Sequence, residues 1–455
     1  MKGLWKRLGL VIAGLALPVV GLFAQAATSN AAPVWTPNSG DTSWVLTSSA
    51  LVLLMTVPAL ALFYGGMVRR KNVLSTIYYS LAAAIIVSLL WVVGQYSLIF
   101  ATTPGVADAA KVHGVAEWFG NMSKAMNSFL ANGAHPNAGT IPESVYSMFQ
   151  LMFAIITVAL ISGSIVERMS FLGWVVFAVL WSMIVYTPLA HWVWNPEGIL
   201  AHMGALDFAG GLVVHTSSGV TALVLAIVLG PRIGHKQEPT SPANIAYVFI
   251  GAALLWVGWF GFNAGSAVAA NVLAGSAFVV TNTAAAMAAL VWLLLEWIFL
   301  KKPTVVGAST GVVAGLVAIT PASGYVDIGG ALVIGACVSL ISFTFMSIFR
   351  KKFRYDDALD VFSVHGLGGM FGALATGLFA NPIINSTGKG AFYGNPGQFL
   401  TQLISVGFAI AIAVVGTLVC ILLTQLITLG NMRVKPQAEI EGLDLSQHGE
   451  QLESK

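Results

Sequence analysis

The sequence predicts an all-α polytopic membrane protein of eleven transmembrane helices, and three observations carry that reading. Of 455 residues, 57% are apolar and 9% charged, with a mean hydropathy of +0.84. Soluble domains carry about 25% charged residues, so the charges here are too few to coat a water-facing surface of this size. Apolar runs long enough to cross a hydrocarbon core of about 30 Å follow one another through almost the whole chain, which leaves no room for a separate soluble domain. The basic residues gather in alternate loops, the asymmetry that membrane insertion imposes. The net charge of +3 therefore follows topology and points to membrane lipid, with no nucleic acid as partner.

At the N-terminus, Lys2, Lys6 and Arg7 precede an apolar stretch from Leu8 to Phe23 and then Ala24-Gln25-Ala26. A basic segment, a short apolar segment and a small-x-small site mark a secretory signal peptide. Residues 1–26 are read as that peptide, and the mature N-terminus as external. Eleven spans follow, at 43–67, 73–101, 143–166, 171–191, 207–230, 244–264, 273–299, 304–322, 328–349, 360–380 and 398–429. They divide the mature chain into a membrane domain, 27–429, and a cytoplasmic tail, 430–455. Periodicity adds little, because helices inside a bundle are apolar all round. Loop charge adds more. An external N-terminus makes the first loop cytoplasmic, and it holds Arg69, Arg70 and Lys71. Continuing the alternation puts fifteen of the 21 basic residues inside, leaves Lys111, Lys124 and Lys389 outside, and assigns the other three to the signal peptide. The topology is N-out/C-in.

The fifth and tenth spans open alike. Asp207 stands eight residues before His215, and Asp357 eight before His365. One of these spans starts outside and the other inside, so the pattern predicts two five-helix repeats of inverted topology plus a last helix. Eight residues at 1.5 Å rise place each His about 12 Å inside its own membrane face, so both approach the midplane from opposite sides. Gly211 and Gly219 flank His215, and Gly368, Gly369 and Gly372 follow His365; such small-residue faces let helices come close. A matched pair of intramembrane histidines is a candidate functional centre.

No Lys or Arg lies inside a predicted span, and Glu143, Asp207 and Glu296 sit at or near span ends. A bare cation at the centre would find no counter-charge, and burying an unpaired ion is costly. A neutral polar solute fits, as does a cation that releases its proton on entry and crosses neutral. Histidine can hydrogen-bond such a solute or pass a proton. Near the outer ends stand Trp192 and Trp194, closing the fourth helix just past its span, and Phe149 and Phe153 on the third. Trp259, Phe262 and Ser266 share one face of the sixth. Aromatic faces with a hydroxyl acceptor can hold a small cation; the same residues also read as an interfacial aromatic belt. Cys337 and Cys420 lie in apolar runs and read as small core residues. Neither a cofactor nor a metal site is expected.

With these residues in place, the chain resembles the ammonium transporter (Amt/Mep/Rh) family, in particular a bacterial Amt channel. The resemblance is carried by Ala-Leu-Phe-Tyr-Gly-Gly at 61–66, Ala-Leu-Asp-Phe-Ala-Gly-Gly at 205–211 and Gly-Trp-Phe-Gly-Phe-Asn-Ala-Gly-Ser at 258–266. Asp-Val-Phe-Ser-Val-His-Gly at 360–366 and Glu-Gly-Leu-Asp-Leu-Ser-Gln-His-Gly-Glu at 441–450 complete it. It implies a multi-pass homotrimer of the bacterial inner membrane in which each subunit conducts ammonium or its analogue methylammonium, and it implies no enzyme. In the family's terms His215 and His365 are the twin pore histidines, and Phe153 and Phe262 the phenylalanine gate. Phe149, Trp194 and Ser266 form the periplasmic recruitment site, and Asp207 is the conduction aspartate. The tail implies coupling between subunits and a PII signalling protein as partner. The stretch Asn195-Pro196-Glu197 departs from the family's glycine-rich form, so Glu197 is expected to alter the entrance electrostatics. Two competing readings share these residues: a Rh-like gas channel or ammonium sensor, and a membrane hydrolase using the G-x-S-x-G pattern at Gly307–Gly311. The second needs a strand-to-helix turn at Ser309.

Overall fold

The computed structural model describes residues 35–106, 108–129, 133–235, 241–349 and 355–452. The signal peptide predicted at 1–26 lies outside them. Contacts divide the chain into Met1–Thr36 and Pro37–Lys455, and the account that follows concerns the second unit.

Among the described residues ten helices are long and apolar enough to cross a membrane: α1 Ser39–Met67, α2 Arg70–Phe100, α3 Glu143–Ile165, α4 Phe171–His202, α5 Gly211–Leu229, α6 Ile245–Gly265, α7 Val272–Leu300, α9 Ile328–Ile348, α10 Phe362–Phe379 and α11 Pro396–Ile427. The eighth predicted span is a shorter helix, α8 Val305–Ile319. It starts on the Thr304 hydroxyl, which accepts the Gly307 N–H at 2.9 Å. It stops two residues before Pro321, where the ring forbids a further turn. The Gly307–Gly311 motif lies inside this helix, so the strand-to-helix turn that a nucleophilic Ser309 needs is missing. The α2–α3 connection adds a short hairpin, β1 Ala134–His135 and β2 Ala138–Pro142.

Several helices are not regular. π-turns interrupt α1 at Met55–Leu60, around Pro58, and α4 at Ser182–Tyr186, just before Pro188. Each proline removes a backbone donor, and the widened turn absorbs the loss. Two more π-turns open α5 and α10, at Gly211–Thr216 and Phe362–Gly366. These two contain His215 and His365.

α3, α5 and α8 are the most enclosed of these helices, whereas α7 and α11 turn much of their surface outward. The outward residues are apolar; Phe299, Trp297 and Val415 are each more than 60% exposed, as lipid-facing side chains are.

α5 and α10 cross with backbones in contact. A Cβ added to Gly219 would lie 2.1 Å from the Gly366 amide nitrogen, and one added to Gly369 would lie 2.8 Å from that of Thr216. Thus the residue four after His215 meets the residue one after His365, and the residue four after His365 meets the residue one after His215. Reciprocal contacts of this kind require helices running in opposite senses, the relation an inverted repeat predicts.

One end of the bundle is held by buried charge. Glu167, after α3, receives the Arg69 guanidinium and backbone N–H, both at 2.7 Å, and Arg232 at 3.2 Å. Arg232 also forks onto both Asp356 oxygens at 2.8 and 2.9 Å. The turns after α1, α3, α5 and α9 therefore meet at one end, the end to which loop charge assigns the cytoplasm.

Residues 430–452 are folded against this end. α12 Pro436–Glu441 is followed by a π-turn at Asp444–His448. Glu439 pairs with Arg433 at 2.9 Å and accepts the Ile233 N–H at 2.6 Å. Asp444 accepts the N–H groups of Leu74 and Ser75 at the start of α2.

Candidate functional site

The site is a row of side chains joining two cavities. The cavity at the α2–α3 and α4–α5 loop end has a volume of about 140 Å³ and is lined by Tyr146, Gln150, Phe153, Trp194 and Ser266, among others. The ring of Phe153 stacks on Phe262 with centroids 4.3 Å apart and planes at 25°. Phe262 lies 6.1 Å from the His215 ring. His215 in turn faces His365, Nδ1 to Nδ1 at 3.2 Å. His365 lines the other cavity, of about 200 Å³, together with Val313 and Val364.

Local sequence places each piece. Asp207 is buried, and its carboxylate accepts four backbone N–H groups, from Gly210, Gly211, Leu212 and Val213. Charge on a carboxylate at a helix start satisfies donors that have no intrahelical partner, and here it defines the turn that carries His215. Asp357 repeats the arrangement, accepting the Phe362 N–H at 2.7 Å ahead of His365. The spacing of eight seen in the sequence is thus a repeated cap plus a π-turn.

Trp259 stacks on His215 at 5.5 Å and donates its indole N–H to Thr320 at 2.9 Å, which fixes both rings. Two imidazole nitrogens 3.2 Å apart require one donor and one acceptor, so the pair holds its proton on one Nδ1. The Nε2 of His215 is buried and has no hydrogen-bond partner among the described residues, and a buried polar atom left unsatisfied costs stability. The hydroxyl of Ser266 donates to the Phe262 carbonyl at 2.8 Å, so its lone pairs remain to accept. Trp194 is held edge-on to Phe153 at 5.8 Å and donates to the Asp207 carbonyl at 3.1 Å.

Other sequence-chosen residues lie elsewhere. Phe149 is buried edge-to-face under Phe153 at 5.0 Å and does not line the cavity. On α3 the cavity face is Tyr146, Gln150 and Phe153, and Phe149 stands at its edge, turned toward Gly265. Gln150 and Tyr146 stand three and seven residues before Phe153, a helical spacing that was their only signal in the sequence. Trp192 packs away from the row, donating to the Trp118 carbonyl at 2.9 Å. The expectation for Glu197 does not hold: its carboxylate is buried and bound to the Thr103 N–H and hydroxyl at 2.7 and 2.9 Å. It ties two loops together rather than facing the entrance.

Fold and site together define a class: a multi-pass membrane transport protein for a small polar solute. The profile of the Ammonium Transporter Family matches residues 43–453. The chain is 44% identical over 445 residues to an ammonium transporter of Aquifex aeolicus, covering 98% of this chain and 99% of that one. It is 47% identical over 414 residues to an ammonium transporter of Bacillus subtilis, covering 90% and 98%. The crystal structure of Saccharomyces cerevisiae Mep2 superposes with a TM-score of 0.79 at 33% identity and 88% coverage of each chain, and a structure described as a sensor Amt protein does so at 0.79 and 27%, covering 90% and 98%. The chain belongs to the ammonium transporter family, and its function is ammonium transport.

Proposed function

We propose that ammonium is held in the outer cavity, loses a proton there, and crosses as ammonia past Phe153 and Phe262 and along His215 and His365 to the inner cavity. The observation that carries this reading is the unbroken row from Phe153 to His365 joining the two cavities. In the outer cavity the faces of Trp194 and Phe153 attract a cation, and Ser266 accepts one of its hydrogen bonds. The stacked phenylalanines admit no hydrated ion, and stripping the water from an ion costs far more than stripping it from a neutral solute. Potassium pays that cost in full. Ammonium escapes it by releasing a proton, so deprotonation supplies the discrimination. Beyond the gate, ammonia can donate to and accept from the histidine pair, and the free Nε2 of His215 gives it a partner. The pair also offers a separate route for the released proton.

Asp207 acts in this scheme by holding the α5 turn, and the negative charge favours a cation nearby. Phe149 supports Phe153 from behind. Subunits assemble as a homotrimer in the inner membrane, N-terminus outside and tail inside, and the tail couples subunits and receives a PII protein. The resemblance at 441–450 and the docking of Asp444 on α2 support that role.

The test is paired electrical recording of ammonium and potassium in proteoliposomes. His215→Leu keeps the path apolar and removes its hydrogen-bond partners; ammonium current should fall at least tenfold. His215→Glu should let potassium compete. Wild-type ammonium current in the first variant, with potassium still excluded in the second, would falsify the role of the pair.

A further inference from the structure

Away from the transport row, the loop after α2 and the C-terminal end of α4 bring together His113, Glu117 and His202, whose ligating atoms all lie within 4.8 Å of one another. Glu117 Oε1 is 3.1 Å from His202 Nδ1 and 3.5 Å from His113 Nδ1. Ligands at 2.0–2.1 Å around a tetrahedral metal ion stand about 3.3 Å apart, so these separations match the edges of such a site.

The hydrogen bonding gives a second, independent reason. His202 Nε2 faces the Ala109 carbonyl at 3.1 Å, and a carbonyl only accepts, so Nε2 carries the proton. In neutral imidazole the Nδ1 is then a bare lone pair, and it points at a carboxylate oxygen. The other oxygen of that carboxylate accepts the Gly114 N–H at 2.8 Å. Two acceptors at 3.1 Å repel unless a cation lies between them, either a second ring proton or a metal ion. A ring N–H donated to a backbone carbonyl is also how a metal-bound histidine is usually oriented.

We propose that His113, Glu117 and His202 bind one divalent transition-metal ion of the zinc class, with a fourth position open to water, and that the ion ties the α2–α3 loop to the turn that leads into Asp207. His113 is largely exposed, so the ion enters from solvent. Four- and 85-residue separations follow no compact metal-ligand motif in the sequence; only the fold brings these side chains together.

The experiment is titration of the purified full chain, without a histidine tag, with zinc chloride against a chelating indicator, with magnesium as the control ion. Expected are one saturable zinc site per subunit, no magnesium binding, and a rise in thermal midpoint with zinc. His202→Ala and Glu117→Gln should each weaken zinc binding at least tenfold. His113→Ala, which removes an exposed side chain in contact with Glu117 and His202, should do so without loss of folding, and His448→Ala should leave binding unchanged. Absence of saturable zinc binding, or affinity indifferent to His113→Ala, would overturn the proposal and leave protonated His202 as the cation.

Discussion

Asp207 illustrates how much a single side chain can be asked to do. Four backbone N–H groups converge on its carboxylate, and each unsatisfied buried donor costs roughly 1–3 kcal/mol. Asp207→Ala should therefore lower the thermal midpoint of the purified protein and abolish most ammonium current, because the turn holding His215 loosens. Asp207→Asn retains one acceptor oxygen and should fall between the two in midpoint. Normal assembly with wild-type current in Asp207→Ala would contradict this role. Ser266 is a milder case. Its lone pairs face the outer cavity, so Ser266→Ala should raise the ammonium concentration for half-maximal current at least tenfold while leaving stability unchanged, the worth of one hydrogen bond to a charged group being about 1.5–3 kcal/mol.

Among the elements, the α5–α10 crossing is the most demanding. The nearest neighbours of a Cβ at Gly219 are backbone atoms of Gly366 and His365, which cannot rotate aside as a side chain can. Gly219→Ala should force the helices apart, shift His365 relative to His215, and reduce transport at least tenfold. Gly407→Ala on α11 is the control, since its Cβ would meet nothing within 4 Å. Equal transport in both variants would show that the crossing tolerates separation. The tail is an element of the same kind. Asp444 caps the first turn of α2, a contribution of about 0.5–2 kcal/mol, so Asp444→Ala should speed proteolysis of residues 430–452 and weaken capture of a PII protein. Unchanged proteolysis would mean that the remaining contacts of the tail suffice.

At the scale of the whole molecule, the charge network at the tail end joins turns that are far apart in sequence. Burial alone would raise the Asp356 carboxyl, but hydrogen bonds and charge from Arg232, with Arg168 beside it, hold it well below the usual carboxylate range. A carboxylate depressed in the folded state contributes fully above its unfolded value, near 4, and loses that contribution as pH falls through the folded value. The thermal midpoint should thus be flat from neutral pH to about 5 and fall below about 4. Asp356→Asn leaves Arg232 with Glu167 as its remaining buried counter-charge; breaking a buried pair costs about 3–5 kcal/mol, so the variant should be less stable and lose part of the acid dependence. An acid profile identical to wild type would place the titration elsewhere.

Much of this was legible in the sequence, for physical reasons. Lipid demands long apolar runs, so composition alone located the ten long apolar helices among the described residues and the shorter α8. The paired Asp-x7-His pattern was visible because a repeated cap and turn leaves a repeated spacing. What only the tertiary structure decided is which side chains meet. Helices apolar all round carry no marker of their inward face, so nothing local told Phe149 from Gln150 as a cavity residue. Nor could local sequence show that Glu197 is bound by Thr103. The π-turns at His215 and His365, the gathering of Arg69, Glu167, Arg232 and Asp356, and the meeting of His113, Glu117 and His202 are all products of long-range packing. Those contacts exist because close-packed helices place side chains by where their backbones cross, and the crossing is set by glycines that acquire their meaning only when the opposite helix is present.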